Sequence, residues 1–114
     1  MKYVMLFVLL VLVSVSVQAQ SNFSSDTAAV GTAWTSVYVG VANVPKLVRV
    51  WNDDASTQLW IVTSLADTST AGKVLPVFPT SATVNEADWF AYRPAYLYVK
   101  AASGTVHKHI TSQW

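Results

Sequence analysis

Two histidines that are two residues apart, His107 and His109, form the most chemically suggestive pair in this chain. In an extended strand, residues i and i+2 point to the same face, so both imidazoles would share one side of a sheet. Zinc needs further ligands, and Asp53, Asp54 and Asp88 have no spacing that supplies them. The pair is therefore only a weak candidate for a metal site, and it is interpreted as polar decoration of a solvent-facing strand. No cofactor is predicted.

The carboxylates offer little catalytic chemistry. Glu86 and Asp88 flank one another beside Trp89, but glycosidic chemistry needs a partner carboxylate across a cleft. Asp53 and Asp54 lack the alternating oxygen ligands and the closing glutamate of a calcium loop, so they are interpreted as turn formers. No serine lies in a G-x-S-x-G elbow. The sequence predicts that the protein is not an enzyme; a small metal-dependent hydrolase is the most distant alternative.

The N-terminal segment has the pattern of an export leader. Lys2 precedes an apolar run over residues 3–13, and the segment ends in small residues up to Ala19. This pattern predicts a signal peptide over residues 1–19, cleaved between Ala19 and Gln20. The alternative is a retained anchor with residues 3–17 in the membrane, although a span usually needs about 20 apolar residues. The protein is expected to be periplasmic, extracellular or on a virion surface, or membrane-anchored if the leader stays uncleaved.

Composition narrows the classes of partner. The chain has 114 residues, no cysteine, seven basic and six acidic residues, and a formal net charge of +1. Loss of Lys2 with the leader would leave equal numbers of basic and acidic side chains. A neutral surface without a basic cluster argues against nucleic-acid binding. The remaining length suits one domain that packs without disulfides.

Short β-rich runs separated by turn residues follow the leader. Residues 20–33 are polar and are predicted to form a flexible arm, or an edge strand that orders only against a partner. Turns are expected at residues 53–56 and 102–104, each closing a hairpin. Residues 86–94 stay open between a strand and an irregular loop. Strands are predicted over residues 34–41, 46–52, 58–64, 73–78, 96–101 and 105–111.

These runs predict an all-β fold. About seven short strands indicate an antiparallel β-sandwich over residues 34–114, Greek-key or jelly-roll-like, behind a hydrophobic leader helix. A small barrel is the alternative. Pro76 cannot donate to a ladder, so its strand is expected at an edge.

Period-two alternation sorts the side chains of the strands. It predicts that Leu97, Val99, Val106 and Ile110 face the core, while Lys108 sits near an edge where its amine reaches water.

In residues 46–52 two arrangements stay open. Either Leu47 and Trp51 point inward with Arg49, or Val48 and Val50 point inward with Asn52. The second is favoured because it does not bury an arginine.

The outward set is rich in aromatic residues. An exposed aromatic surface is typical of an interface or a ligand platform, and a polysaccharide is a possible ligand. Trp51 and Trp60 could instead belong to the core. The predicted surface consists of Tyr38, Trp51, Trp60, Tyr96 and Tyr98.

Three sequence segments are the basis of a resemblance to a known family: LVRVWNDDASTQLWIV (residues 47–62), KVLPVFPTSATV (73–84) and AYLYVKAASGTVHKHI (95–110). Their order resembles small β-sandwich structural proteins of tailed phages and related viruses, found as head-decoration or minor virion components. The resemblance transfers no catalytic residue. It implies a homo-oligomer, or a subunit that joins a larger assembly through its aromatic face or N-terminal arm. The predicted function is a structural subunit or decoration of a virion or other surface assembly; the alternative is a secreted carbohydrate-binding or adhesin-like module.

Overall fold

The computed structural model describes residues 22–114, so the expected leader, its cleavage site and any membrane segment within residues 3–17 lie outside the described part. No helix in residues 22–114 is long and apolar enough to cross a membrane. A short 3-10 helix spans Leu65–Asp67. The strands are β1 (Phe23–Asp26), β2 (Thr35–Tyr38), β3 (Lys46–Asn52), β4 (Leu59–Val62), β5 (Leu75–Val77), β6 (Glu86–Tyr92), β7 (Tyr96–Ala101) and β8 (Lys108–Gln113).

The strands form two four-stranded antiparallel sheets. Sheet 1 has the order β1-β8-β3-β6 and sheet 2 has the order β2-β7-β4-β5. Consecutive strands change sheet at every step except from β4 to β5, which is the order of a jelly roll. The predicted all-β sandwich is therefore confirmed. Of the two expected topologies, Greek key and jelly roll, the structure has the jelly roll.

The jelly-roll order overturns both hairpins predicted at turns. β3 and β4 lie in different sheets, as do β7 and β8, so neither pair forms a hairpin. Asp54 does form the predicted turn, because its Oδ1 accepts hydrogen bonds from the amides of Ser56 (3.0 Å) and Thr57 (2.8 Å). A turn reverses the chain equally well within a sheet or across the sandwich, so turn residues alone could not separate the two.

The N-terminal arm differs from its prediction. Phe23–Asp26 pairs with β8 of the same chain, from Phe23 opposite Gln113 to Asp26 opposite Ile110. Val30 then makes an isolated bridge to Val106. The arm is thus an edge strand of the sandwich itself, and residue 34 is too late as the start of the domain.

The core lies between the two sheets. The predicted inward residues Leu97, Val99, Val106 and Ile110 are all buried, and the favoured arrangement of β3 is confirmed because Val48, Val50 and Asn52 are buried. Residues 86–92, left open by the sequence, form edge strand β6, which is irregular against β3 between Lys46 and Val48.

Two lysines of the inner faces are buried, and this contradicts the placement predicted for Lys108. Lys108 lies on the inner face of sheet 1 and does not reach water; its Nζ lies 2.6 Å from Oδ1 of Asp26. Lys46 is buried at one end of the sandwich, where its Nζ donates to the carbonyls of Val41 (2.7 Å), Val44 (3.0 Å) and Arg93 (3.1 Å). Desolvation, followed by the charge of Arg93, lowers the pKa of the Lys46 amine.

Candidate functional site

The five aromatic residues predicted to share one surface lie on opposite sides of the sandwich. Trp51 is on β3 in sheet 1, whereas Trp60 is on β4 in sheet 2. Tyr38, Tyr96 and Tyr98 are also in sheet 2, on β2 and β7. The single surface is therefore wrong for Trp51, because β3 and β4 do not form a hairpin. His109, on β8, is also in sheet 1 and therefore lies on the opposite sheet from the three tyrosines.

The outer face of sheet 2 holds the larger aromatic group. Tyr38 and Tyr96 are register partners whose rings meet edge to face, with centroids 5.8 Å apart. Trp34, which was not among the predicted residues, lies on the same face, and the Lys100 ammonium stands 5.0 Å from its ring centroid. The spacing of Trp34, Ser36 and Tyr38 by two residues is the signal that could have revealed it.

Two shallow concavities meet at Trp34 on this face. The first, of about 380 Å³, is lined by Trp34, Ser36, Leu65, Tyr96 and Tyr98. The second, of about 340 Å³, runs from Trp34 and Trp60 to Lys100 and the loop over residues 68–74. This loop follows the 3-10 helix, which is capped by Ser64, because the Ala66 amide donates a hydrogen bond to Ser64 Oγ (3.3 Å). Aromatic rings beside hydroxyl groups and an ammonium can bind a polar ligand with apolar ring faces.

The outer face of sheet 1 holds Trp51 and His109. Trp51 stacks obliquely on its register partner His109, with centroids 5.2 Å apart, and His109 Nε2 lies 3.0 Å from Ser25 Oγ. A concavity of about 280 Å³ is lined by Phe23, Leu47, Arg49, Trp51, Thr111 and Gln113.

The carboxylates of β6 border that face. The side-chain hydrogen bond with Asp88 raises the pKa of the Glu86 carboxyl, as do partial desolvation and the negative charge of Asp88. Arg49 Nε lies 4.0 Å from Asp88 Oδ1 on the neighbouring strand. The structure therefore brings Glu86 and Asp88 to an arginine rather than to a cleft. Within residues 22–114, no three His, Asp or Glu side chains are grouped so that they could hold a metal ion. That the chain is not an enzyme stays a prediction.

All four edge strands carry an exposed large hydrophobic side chain. They are Phe23 on β1, Phe90 on β6, Tyr38 on β2 and Leu75 on β5. Edge strands are commonly blunted by lysine, proline or bulges. Pro76 does this in β5, as predicted, and β6 is irregular, with Ala91 at φ 57°. β1 (FSSD) and β2 (TSVY) contain neither lysine nor proline.

Known proteins are similar to this chain only distantly. No family model matches the chain, and no curated protein matches it. Among solved structures, the chain is similar to one from Bacillus endospore appendages, described as a novel family of disulfide-linked pili. The two are 14% identical, the match covers 84% of this chain and 90% of that one, and the TM-score is 0.45. That protein is described as disulfide-linked, whereas this chain has no cysteine.

Proposed function

We propose that this chain is a non-enzymatic structural module that is exported and joins a surface assembly, as a homo-oligomer or as a subunit of a larger particle such as a virion or an appendage. The observation that carries the proposal is the exposed large hydrophobic residue on every edge strand of both sheets. An edge strand presents unpaired N–H and C=O groups, and an apolar side chain beside them favours contact with another chain.

Two of these residues are especially exposed. Phe23 on β1 is 66% exposed and Phe90 on β6 is 77% exposed, and the two strands form the opposite edges of sheet 1. Contact through two different edges is heterologous, and such contacts extend into rings or filaments. The two edges of one sheet therefore suit repeated assembly.

Self-association of the purified mature chain tests the proposal. We expect light scattering to show oligomers, and either Phe23→Lys or Phe90→Lys to weaken their formation about tenfold, equivalent to about 1.4 kcal/mol. That figure is about half the free energy gained when a phenylalanine side chain is fully buried. Val84→Lys is the matched control, because Val84 is 61% exposed but lies in a loop. A monomeric chain at all concentrations, or equal effects of all three substitutions, would exclude assembly through the edges.

The kind of assembly needs a second measurement. Mass spectrometry of density-gradient fractions from the producing culture would locate the chain. Peptides enriched in a particle band are expected for a virion or appendage subunit. Peptides confined to the soluble exported fraction would rule out the particle.

The paired concavities on sheet 2 favour a second candidate, carbohydrate binding. Sugar rings pack on aromatic faces, and Trp34 and Trp60 line the second concavity together with hydroxyl-bearing Thr68 and Thr70. Tryptophan fluorescence is expected to change when polysaccharide is added, and Trp34→Ala is expected to abolish the change. Trp51→Ala is the control, because Trp51 lies on the opposite sheet. Equal loss with both variants would contradict a site on sheet 2.

A further inference from the structure

The edge of β8 that receives β1 requires a specific charge. Lys108 Nζ lies 2.6 Å from Asp26 Oδ1 and 2.7 Å from the carbonyl oxygen of Ala28. The Lys108 side chain is only 1% exposed, whereas that of Asp26 is 35% exposed. A buried ammonium without a partner is strongly unfavourable. A strand that occupies this edge must therefore carry a carboxylate opposite Ile110, as Asp26 does.

The segment that supplies this carboxylate is a compact unit at the N-terminal end of the described chain. After β1, Val30 exchanges two backbone hydrogen bonds with Val106, and the Gly31 carbonyl accepts one from Ala101. The chain then crosses to sheet 2, and the Cβ position of Gly31 has no atom within 4 Å. A change in the direction of the chain at Gly31 is therefore not opposed by crowding around its Cβ position.

We infer that β1 is exchanged between copies of this chain, so that Asp26 of one copy pairs with Lys108 of another. This inference rests on the proposed assembly function and names one contact between the copies. The exchanged strand makes the same ladder and the same ion pair as β1 makes within its own chain, so only the connection after Val30 changes. The strand that occupies the edge of β8 is specified by its charge, because the buried Lys108 ammonium needs a carboxylate and β1 supplies that of Asp26.

Cysteine pairing between copies tests the exchange directly. Ser25 and Thr111 are register partners, and the chain contains no cysteine of its own. Full-length mature Ser25→Cys, isotopically labelled, is mixed with unlabelled Thr111→Cys under mild oxidation. Directly opposite residues of paired strands are close enough for a disulfide. We expect the mixed disulfide to exceed, at least about tenfold, that of a control mixture of Ser25→Cys with Thr70→Cys, which would pair only by collision.

The ion pair is tested in the same mixture. Asp26→Asn, added to the Ser25→Cys chain, removes the charge while keeping the shape. We expect it to reduce the mixed disulfide several-fold. An unchanged yield would overturn the inference that charge selects the strand.

A double variant separates this inference from the assembly proposal. In Ser25→Cys/Thr111→Cys, exchange produces a ladder of linked chains on a non-reducing gel. If light scattering shows oligomers but every disulfide stays within one chain, exchange is overturned and assembly stands. If the chain is monomeric throughout, both are overturned.

Discussion

Removal of either member of the Asp26–Lys108 ion pair is expected to destabilise the sandwich, but to very different extents. Asp26→Ala leaves the Lys108 ammonium in the interior with only the Ala28 carbonyl as a partner. Lys108→Met removes the buried charge and fills a similar volume with an apolar side chain. The carboxylate left behind is about one-third exposed and can be hydrated.

The exposed fractions of the Lys108 and Asp26 side chains determine how much each substitution should lower the free energy of unfolding. Loss of one partner of a buried ion pair costs about 3–5 kcal/mol, whereas replacement of the buried charge by a hydrophobic side chain is often close to neutral. We expect about 3 kcal/mol for Asp26→Ala, at the lower end because the vacated space opens towards solvent. We expect less than about 1 kcal/mol for Lys108→Met. Asp26→Asn is expected to fall between them, since its amide oxygen can still accept the hydrogen bond.

Equilibrium unfolding in urea at neutral pH measures these free energies, and equal slopes for all variants are required for the comparison. A cost for Lys108→Met equal to or above that of Asp26→Ala would refute the reasoning.

The pH dependence gives an independent check on the same pair. Partial desolvation raises the pKa of Asp26, but the hydrogen bonds from Lys108 and from the Ala28 amide, with the Lys108 charge, outweigh it and the pKa is lowered. A lowered folded-state pKa contributes stability above the unfolded value of about 3.9. That contribution is lost as the pH falls through the folded pKa. Wild type is therefore expected to lose more stability on acidification than Lys108→Met, and identical pH profiles would contradict this.

Three further predictions concern other parts of the sandwich. Gly40 has φ 127°, and an added Cβ would lie 2.6 Å from a lysine side-chain carbon. Gly40→Ala is therefore expected to lower the free energy of unfolding in urea by about 2–3 kcal/mol. Gly31→Ala is the control, because its Cβ position has open space, and equal costs for the two variants would contradict the clash. Buried Asn52 donates from Nδ2 to two carbonyl oxygens, each at 2.9 Å. Asn52→Asp would set a carboxylate against them and is expected to cost about 3 kcal/mol, and a cost within error of zero would refute this. Asp88→Asn is expected to lower the pKa of Glu86 in an NMR titration, because the Asp88 side chain raises it; an unchanged pKa would show that Asp88 is not the cause.

The sequence by itself determined most of the strands and the inward-facing hydrophobic residues of β3, β7 and β8. Two predicted strands, residues 46–52 and 96–101, match β3 and β7, and the inward placement of Val48 and Val50 is confirmed. These features depend on period-two alternation and turn residues, which act over a few positions. The avoidance of a buried arginine was enough to choose between the two faces of β3.

Only the tertiary structure decided which strands are neighbours. Asp26 and Lys108 are 82 positions apart, and no local pattern relates them. The inward position of Lys108 is explained only by the pairing of β1 with β8, which brings Asp26 to the Lys108 ammonium. The separation of Trp51 from Trp60 has the same cause, because a turn specifies reversal of the chain but not the sheet that it enters. In a jelly roll nearly every connection crosses the sandwich, so local turn chemistry places a strand correctly and still leaves its neighbours undetermined.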